Sequence, residues 1–279
     1  MPRKKKNRYH LKKTSLFSAI SFFKEKYSHF TLTKTGHTFK VEAGNEVYFF
    51  SDNNAGKQTF ITTKLIENDV TPQLDLITEI NPDKIKYYEF TENNIEEISC
   101  VDISAAYPNA LRNLGYISDK TFNNIMKLKK PDRLKTVGML ATKKAIYEVE
   151  EKKLKSATTI RKKTEKVFFS ICNEIGELMN SILLKYGSDI VFFWVDGIFC
   201  KKEIALEILK EMENKGYPAK IEEVKNLKKS KKGNFLFYQK MGKKGWENKI
   251  LPIPRKKTIF DENILKFLSG EIEVKEIIV

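Results

Sequence analysis

Two aspartates stand at the ends of apolar runs, and their types and positions suit them to bind metal ions. Asp102 lies in ISCVDI (98–103), and Asp196 lies in IVFFWVDGIF (190–199). A carboxylate among Ile, Val and Phe is costly to desolvate unless a cation lies beside it. Carboxylate oxygens are ligands that Mg²⁺ prefers, and two such ions about 3.5–4 Å apart serve phosphoryl and nucleotidyl transfer. We therefore expect Asp102 and Asp196 to converge on one site for divalent cations.

Each of these features also has a simpler interpretation. Asp196-Gly197 is a common hairpin turn, and Asp102 could cap a helix that begins near Pro108. Tyr107 alone would be an ordinary core tyrosine. The combination favours a catalytic site, because both acids end apolar strands and Tyr107-Pro108 follow Asp102 by five and six residues.

The elements that must position these acids follow from hydrophobic periodicity and turn residues. In the first half of the chain the sequence predicts a helix at 14–27, a β-rich region between 29 and 90, a strand near 97–103 and a helical region over 118–163. In the second half it predicts a long helix at 165–186, a hairpin at 190–200, a helix at 202–215, basic strands after 218 and a last helix near 261–269. Residues 1–13 form a basic arm, which is either a solvated tail or a contact for phosphates.

Composition indicates a globular protein that binds a polyanion. The 279 residues include 51 Lys and Arg against 36 Asp and Glu, which gives a formal charge of +15. The odd, widely spaced Cys100, Cys172 and Cys200 argue against disulfides or a zinc cluster and favour a reducing compartment. No apolar run approaches the roughly 18–20 residues of a membrane span, and no targeting signal is visible. We expect a cytoplasmic protein without a membrane partner.

Four segments resemble the conserved motifs of family B DNA polymerases. The family's first motif is an Asp followed by Tyr-Pro at +5 and +6, as in 102–108, and its third is a Tyr-x-Asp-Thr-Asp-Ser hairpin, similar to 193–199. RLKTVGMLA (133–141) resembles the second motif, Lys-x-x-x-Asn-Ser-x-Tyr-Gly. The basic run from Lys225 to Tyr238 resembles the Lys-x-Tyr element that grips the primer–template duplex. Order and spacing agree over 98–245.

The resemblance implies an α+β fold built on a polymerase palm, an antiparallel sheet backed by helices. The implied domains are a basic arm and β-rich N-terminal region at 1–97, a palm at 98–114 and 167–245, a small helical fingers insertion at 115–166 and a short thumb-like tail at 246–279.

The resemblance also implies a role for each site residue. Two Mg²⁺ ions, with Mn²⁺ as an alternative, would be held by Asp102, Asp196 and the carbonyl of Ile103. The nucleotide would be bound by the main-chain N–H groups of Ala105, Ala106 and Tyr107. It would also be bound by two side chains of the fingers, Arg133 and Lys135. Tyr107 would exclude a 2′-hydroxyl. The duplex would be bound by Lys228, Lys229, Lys231, Lys232 and Tyr238.

The implied function is template-directed DNA synthesis from dNTPs on a primer–template, without proofreading. Residues 1–98 hold no Asp-x-Glu pattern of an exonuclease. Trp194 stands where the family has the first acid of its third motif, and Val137-Gly138 replace Asn-Ser. Two alternatives remain open. One is a catalytically degenerate palm that binds nucleic acid within a replication assembly, and the other is a primase.

Overall fold

The computed structural model describes residues 7–10, 16–36, 38–51, 57–81, 94–230, 235–242, 244–252, 265–266 and 268–271. These residues form an α+β fold with twelve strands and seven α-helices. The strands are β1 (Asn7–His10), β2 (His29–Thr35), β3 (Thr38–Ala43), β4 (Glu46–Ser51), β5 (Asn94–Ile103), β6 (Lys144–Glu150), β7 (Lys153–Ile160), β8 (Ile190–Trp194), β9 (Gly197–Cys200), β10 (Ala219–Lys229), β11 (Phe235–Gly242) and β12 (Gly245–Pro252). The helices are α1 (Leu16–Lys26), α2 (Lys57–Val70), α3 (Ala106–Asn113), α4 (Asp119–Met126), α5 (Lys130–Gly138), α6 (Glu165–Tyr186) and α7 (Ala205–Asn214).

The chain divides into two compact units, and the first is discontinuous in sequence. It comprises Met1–Lys57, Gly138–Glu165 and Lys257–Val279. Its sheet has the order β1-β4-β3-β2-β6-β7, antiparallel except for the parallel pair β1 and β4. Apolar residues of α1 recur at helical spacing and pack on one face of this sheet, and they are Leu16, Ala19, Ile20 and Phe23. The first unit therefore has a core of its own.

The second unit carries both aspartates of interest. It comprises Gln58–Val137 and Lys166–Lys256. Its sheet is antiparallel with the order β12-β11-β10-β5-β9-β8. Strand β5, which ends next to Asp102, lies between β10 and β9 at the centre. Because β9 pairs directly with β5, the hairpin that carries Asp196 lies beside Asp102.

Helix α6 begins and ends at the residues predicted from its periodicity. Its buried positions recur at steps of three and four, and they are Val167, Ile171, Ile175, Leu178, Met179 and Ile182. Gly187 follows at φ +50°, which glycine adopts without strain. By length and composition alone, Glu165–Asp189 is also long and apolar enough to cross a membrane. A core helix can also meet these criteria of length and composition, and the buried stripe of α6 is the pattern of a core helix.

Two predictions of local structure were wrong. The β-rich region does not extend through 57–70, which is helix α2. Its Thr and Ile content favours strand, but the buried residues recur with helical spacing, and they are Thr59, Thr62, Thr63, Ile66 and Val70. The region predicted to be helical over 118–163 does form helices α4 and α5, but beyond residue 143 it forms the hairpin β6–β7. Apolar Tyr147 and Val149 alternate there with charged residues.

The other predicted elements have these outcomes. The helix at 14–27, the strand near 97–103, the hairpin at 190–200 and the basic strands after 218 are confirmed, and the helix at 202–215 begins as a short 3₁₀ turn at Lys202–Ile204. The predicted helix near 261–269 is described at four residues, all helical. The predicted start of the tail at residue 246 falls inside β12, which pairs with β11 along its whole length. Of the basic arm, only residues 7–10 are described, and they form β1.

Candidate two-carboxylate site

Main-chain pairing brings Asp102 and Asp196 to the same end of the second unit's sheet. Asp102 pairs with Gly197 on β9, the residue that follows Asp196. The N–H of Ile103 donates a 2.9 Å hydrogen bond to the carbonyl oxygen of Asp196. A Cβ at Gly197 would lie 3.5 Å from Oδ1 of Asp102, so glycine leaves room beside this carboxylate.

Both aspartates line one cavity of about 190 Å³. The cavity wall consists of the end of β5, the start of α3, the turn at Asp196, one residue of β10 and residues of α4 and α5. The lining residues are Asp102, Ile103, Ser104, Ala105, Ala106, Tyr107, Pro108, Met126, Lys130, Arg133, Leu134, Asp196 and Lys220. The structure therefore brings together the two acids and most of the predicted nucleotide-binding residues.

The residues at the start of α3 line this cavity. Ala105 precedes the helix in a left-handed conformation (φ 54°, ψ 50°) and supplies no capping side chain. The buried Asn109 holds the turn, because its Nδ2 donates to the carbonyl oxygens of Ser104 (2.7 Å) and Ala105 (3.2 Å). The first N–H groups of a helix lack partners within the helix and attract anions. The position of this turn therefore suits a phosphate.

Burial disfavours the ionised form of both acids, and the charge of Asp102 adds to this effect at Asp196. Desolvation, followed by the negative charge of Asp102, raises the pKa of Asp196 to about 6. Desolvation also raises the pKa of Asp102, while Lys220 acts in the opposite direction. Lys220 lies opposite Asp102 on β10, with its Nζ 3.5 Å from Oδ2. A divalent cation would relieve this repulsion more fully than one partly exposed lysine does.

The donor set fits a hard divalent cation that takes further ligands from substrate and water. Its donor atoms are all oxygens, from two carboxylates and the main-chain carbonyl of Ile103. No group of three or more His, Cys, Asp or Glu side chains able to hold a metal occurs among the residues that the structure describes. Trp194, which replaces an acid of the family motif, adds no carboxylate and packs partly buried against an apolar cluster.

Tyr107 is held at the cavity by an aromatic neighbour. Its ring stacks on Phe168 of α6, with ring centroids 6.1 Å apart and an angle of 23° between the planes. Burial raises the pKa of the Tyr107 hydroxyl, and the charge of Asp196 adds to this effect. The phenol is therefore neutral at physiological pH, and Tyr107 forms part of the cavity wall.

Only some of the predicted phosphate ligands reach this cavity. Arg133 lines it, whereas Lys135 does not, and Lys130 lines it as well. The reason is helical geometry, since Lys130, Arg133 and Leu134 share one face of α5 while Lys135 lies two residues beyond Arg133.

The predicted duplex-binding residues lie on β10 and β11. Lys228 and Lys229 are exposed at the end of β10. Lys231 and Lys232 lie outside the described residues. Tyr238 is partly buried and packs edge-on against Phe199, with ring centroids 5.7 Å apart. The structure therefore leaves the two described lysines open to an external anion.

Sequence reasoning missed three residues that shape the site, namely Lys220, Asn109 and Phe168. Lys220 is one of many lysines, and only the pairing of β10 with β5 selects it. Asn109 could have been noticed in the sequence, since it is a polar residue in the apolar segment AYPNAL (106–111). Phe168 belongs to the regular apolar pattern of α6, so periodicity alone assigns it to the core.

Comparison with known proteins leaves the chain without an assigned family. No protein-family model matches it. No curated protein matches it significantly. The residues and geometry of the site are therefore the basis for inferring its function.

Proposed function

We propose that this chain is a template-directed DNA polymerase, in which the second unit is a palm of the family B type. It would transfer nucleotides from dNTPs to a primer 3′-hydroxyl without proofreading. The observation that carries the proposal is the convergence of Asp102 and Asp196 on one cavity, together with the Tyr107-Pro108 pair that begins α3. The free cysteines accord with a reducing cytoplasm.

Asp102 and Asp196 would hold the metal ions, with the carbonyl of Ile103 as a further oxygen ligand. Two Mg²⁺ ions bound there would activate the attacking hydroxyl and stabilise the departing pyrophosphate. The N–H groups of the first turn of α3 would donate to phosphate oxygens. Arg133 would neutralise the same phosphates from α5.

Tyr107 would set sugar specificity. Its ring is fixed against Phe168 and therefore cannot withdraw freely from a ligand in the cavity. A 2′-hydroxyl would meet this wall, so deoxynucleotides are the expected substrates. Lys228 and Lys229 would contact the duplex backbone, which positions nucleic acid without reading its sequence.

Primer extension tests the proposal directly. Wild type should extend a primed DNA template with dNTPs and Mg²⁺ or Mn²⁺, whereas Asp102→Asn and Asp196→Asn should lose at least about 1,000-fold. Asp189→Asn is the control, because Asp189 lies at the other end of β8, is partly exposed and is paired with Lys201. Extension that survives either site substitution would overturn the assignment.

A nucleic-acid-binding subunit without catalysis is a second candidate, favoured by the packing of Trp194 in place of an acid. This function predicts binding to primer–template DNA in EDTA, with an affinity that falls steeply as salt rises. It also predicts no incorporation in Mg²⁺ or Mn²⁺. Adding a replication-assembly partner would then be the next test.

A further inference from the structure

Lys220 lies beside Asp102, one of the two acids proposed to bind metal. The two residues are directly paired across β10 and β5. The Nζ of Lys220 lies 3.5 Å from Oδ2 of Asp102, and the side chains are 49% and 25% exposed. An ammonium group has no lone pair to offer a metal, and its charge repels a divalent cation. Lysine and metal therefore compete for the same carboxylate.

A second acceptor for Lys220 lies two residues along the same strand. Glu222 pairs with Lys220 and also with Lys240 of β11. Residues two apart on a strand point to the same face of the sheet. Asp102, Lys220 and Glu222 therefore share one face, and Lys220 can give up Asp102 by rotating its side chain without losing its other carboxylate.

We propose that Lys220 is an internal counter-ion shared by Asp102 and Glu222 in the metal-free protein, and that metal binding at Asp102 leaves it paired with Glu222 alone. This inference rests on the proposed function, because it requires Asp102 to be a metal ligand. Lys220 is then a positioning residue rather than a metal ligand. Its charge weakens the affinity of the site for metal while it stabilises the empty site against repulsion between the two acids.

The effect of Lys220 on metal affinity can be measured without an activity assay. The protein is titrated with Mn²⁺, and electron paramagnetic resonance reports the concentration of free ion. Lys220→Gln should bind Mn²⁺ at least about fivefold more tightly than wild type, since the repulsion of two unit charges about 4 Å apart contributes roughly this factor in bulk water and Mn²⁺ carries two charges. Lys220→Arg keeps the charge and should resemble wild type. Lys240→Gln is the matched control, because Lys240 pairs with Glu222 in the same network.

The outcomes separate this inference from the proposed function. The inference about Lys220 is supported if Lys220→Gln, but neither Lys220→Arg nor Lys240→Gln, binds Mn²⁺ more tightly than wild type. Adding Asp102→Asn to Lys220→Gln should then abolish the binding. Binding that depends on Asp102 but is unchanged or weaker in Lys220→Gln overturns the inference about Lys220 and leaves the metal site intact. Absence of binding that depends on Asp102 in every variant overturns both. Thermal melting of each variant verifies that it is folded.

Discussion

The main-chain N–H of Ile103 donates a hydrogen bond of 2.9 Å to the carbonyl oxygen of Asp196. This bond joins the residue after one acid to the backbone of the other acid. The separation of the two carboxylates is therefore set by strand pairing and by the short aspartate side chains, with little freedom to adjust. A site of this kind is sensitive to changes of carboxylate position as well as to loss of charge.

Lengthening either acid should abolish most activity while preserving charge. Asp196→Glu and Asp102→Glu each move the carboxylate by one methylene, and a misplacement of about 1 Å costs about 100-fold in rate. We expect losses of at least that size in single-turnover nucleotide incorporation. Asp189→Glu should retain wild-type rates. A glutamate variant that keeps more than a third of wild-type activity would show that the backbone does not fix the site.

Asp196 should destabilise the metal-free fold increasingly as the pH rises from about 4 to about 6. Its folded-state pKa is raised from 3.8 to about 6, mainly by desolvation. Stability is therefore fully present below pH 3.8 and falls as pH rises through 6, by at most about 3 kcal/mol. Asp196→Asn should raise the free energy of unfolding in EDTA by an amount that grows from pH 4 to 7 and then levels off. A gain independent of pH would contradict this, and Asp189→Asn is the control.

Much of the second unit could be predicted because its local signals agree with its tertiary structure. Helix α6 has a regular apolar stripe and a glycine stop, and the hairpin around Asp196 has apolar strands on both sides of an Asp-Gly step. The convergence of Asp102 and Asp196 was expected from chemistry, since two partly desolvated acids need a shared cation. Lys220 could not be chosen in this way, because its role depends on the register between β10 and β5.

The errors arose where local composition and tertiary burial disagree. Helix α2 is rich in Thr and Ile, but its threonines face a packed interior, where Thr63 Oγ1 donates to the carbonyl oxygens of Thr59 (2.9 Å) and Thr136 (3.3 Å). The β6–β7 hairpin turns at Glu151 and Lys152, which adopt φ angles of 49° and 63°. Neither is glycine or asparagine, so the usual turn signal is missing.

Arg133 should matter for nucleotide binding more than Lys135. Arg133 lines the cavity, whereas Lys135 on the same helix does not. Arg133→Gln should raise the KM for dNTP about tenfold, because it removes a charge-assisted contact to phosphate. Lys135→Gln should change KM less than twofold. The measurement is steady-state incorporation at saturating primer–template, and equal effects of the two substitutions would indicate a general charge effect instead.

Phe168 should support sugar selection through Tyr107. Removing its ring in Phe168→Ala takes away the surface on which Tyr107 stacks, so the tyrosine gains rotamers that clear the cavity. We expect the ratio of kcat/KM for dNTP to that for rNTP to fall about tenfold, and Phe168→Leu to restore part of it. Phe169→Ala is the matched control, because Phe169 contacts Phe168 edge-on at 5.7 Å. A drop in both kcat/KM values at a constant ratio would assign Phe168 to packing alone.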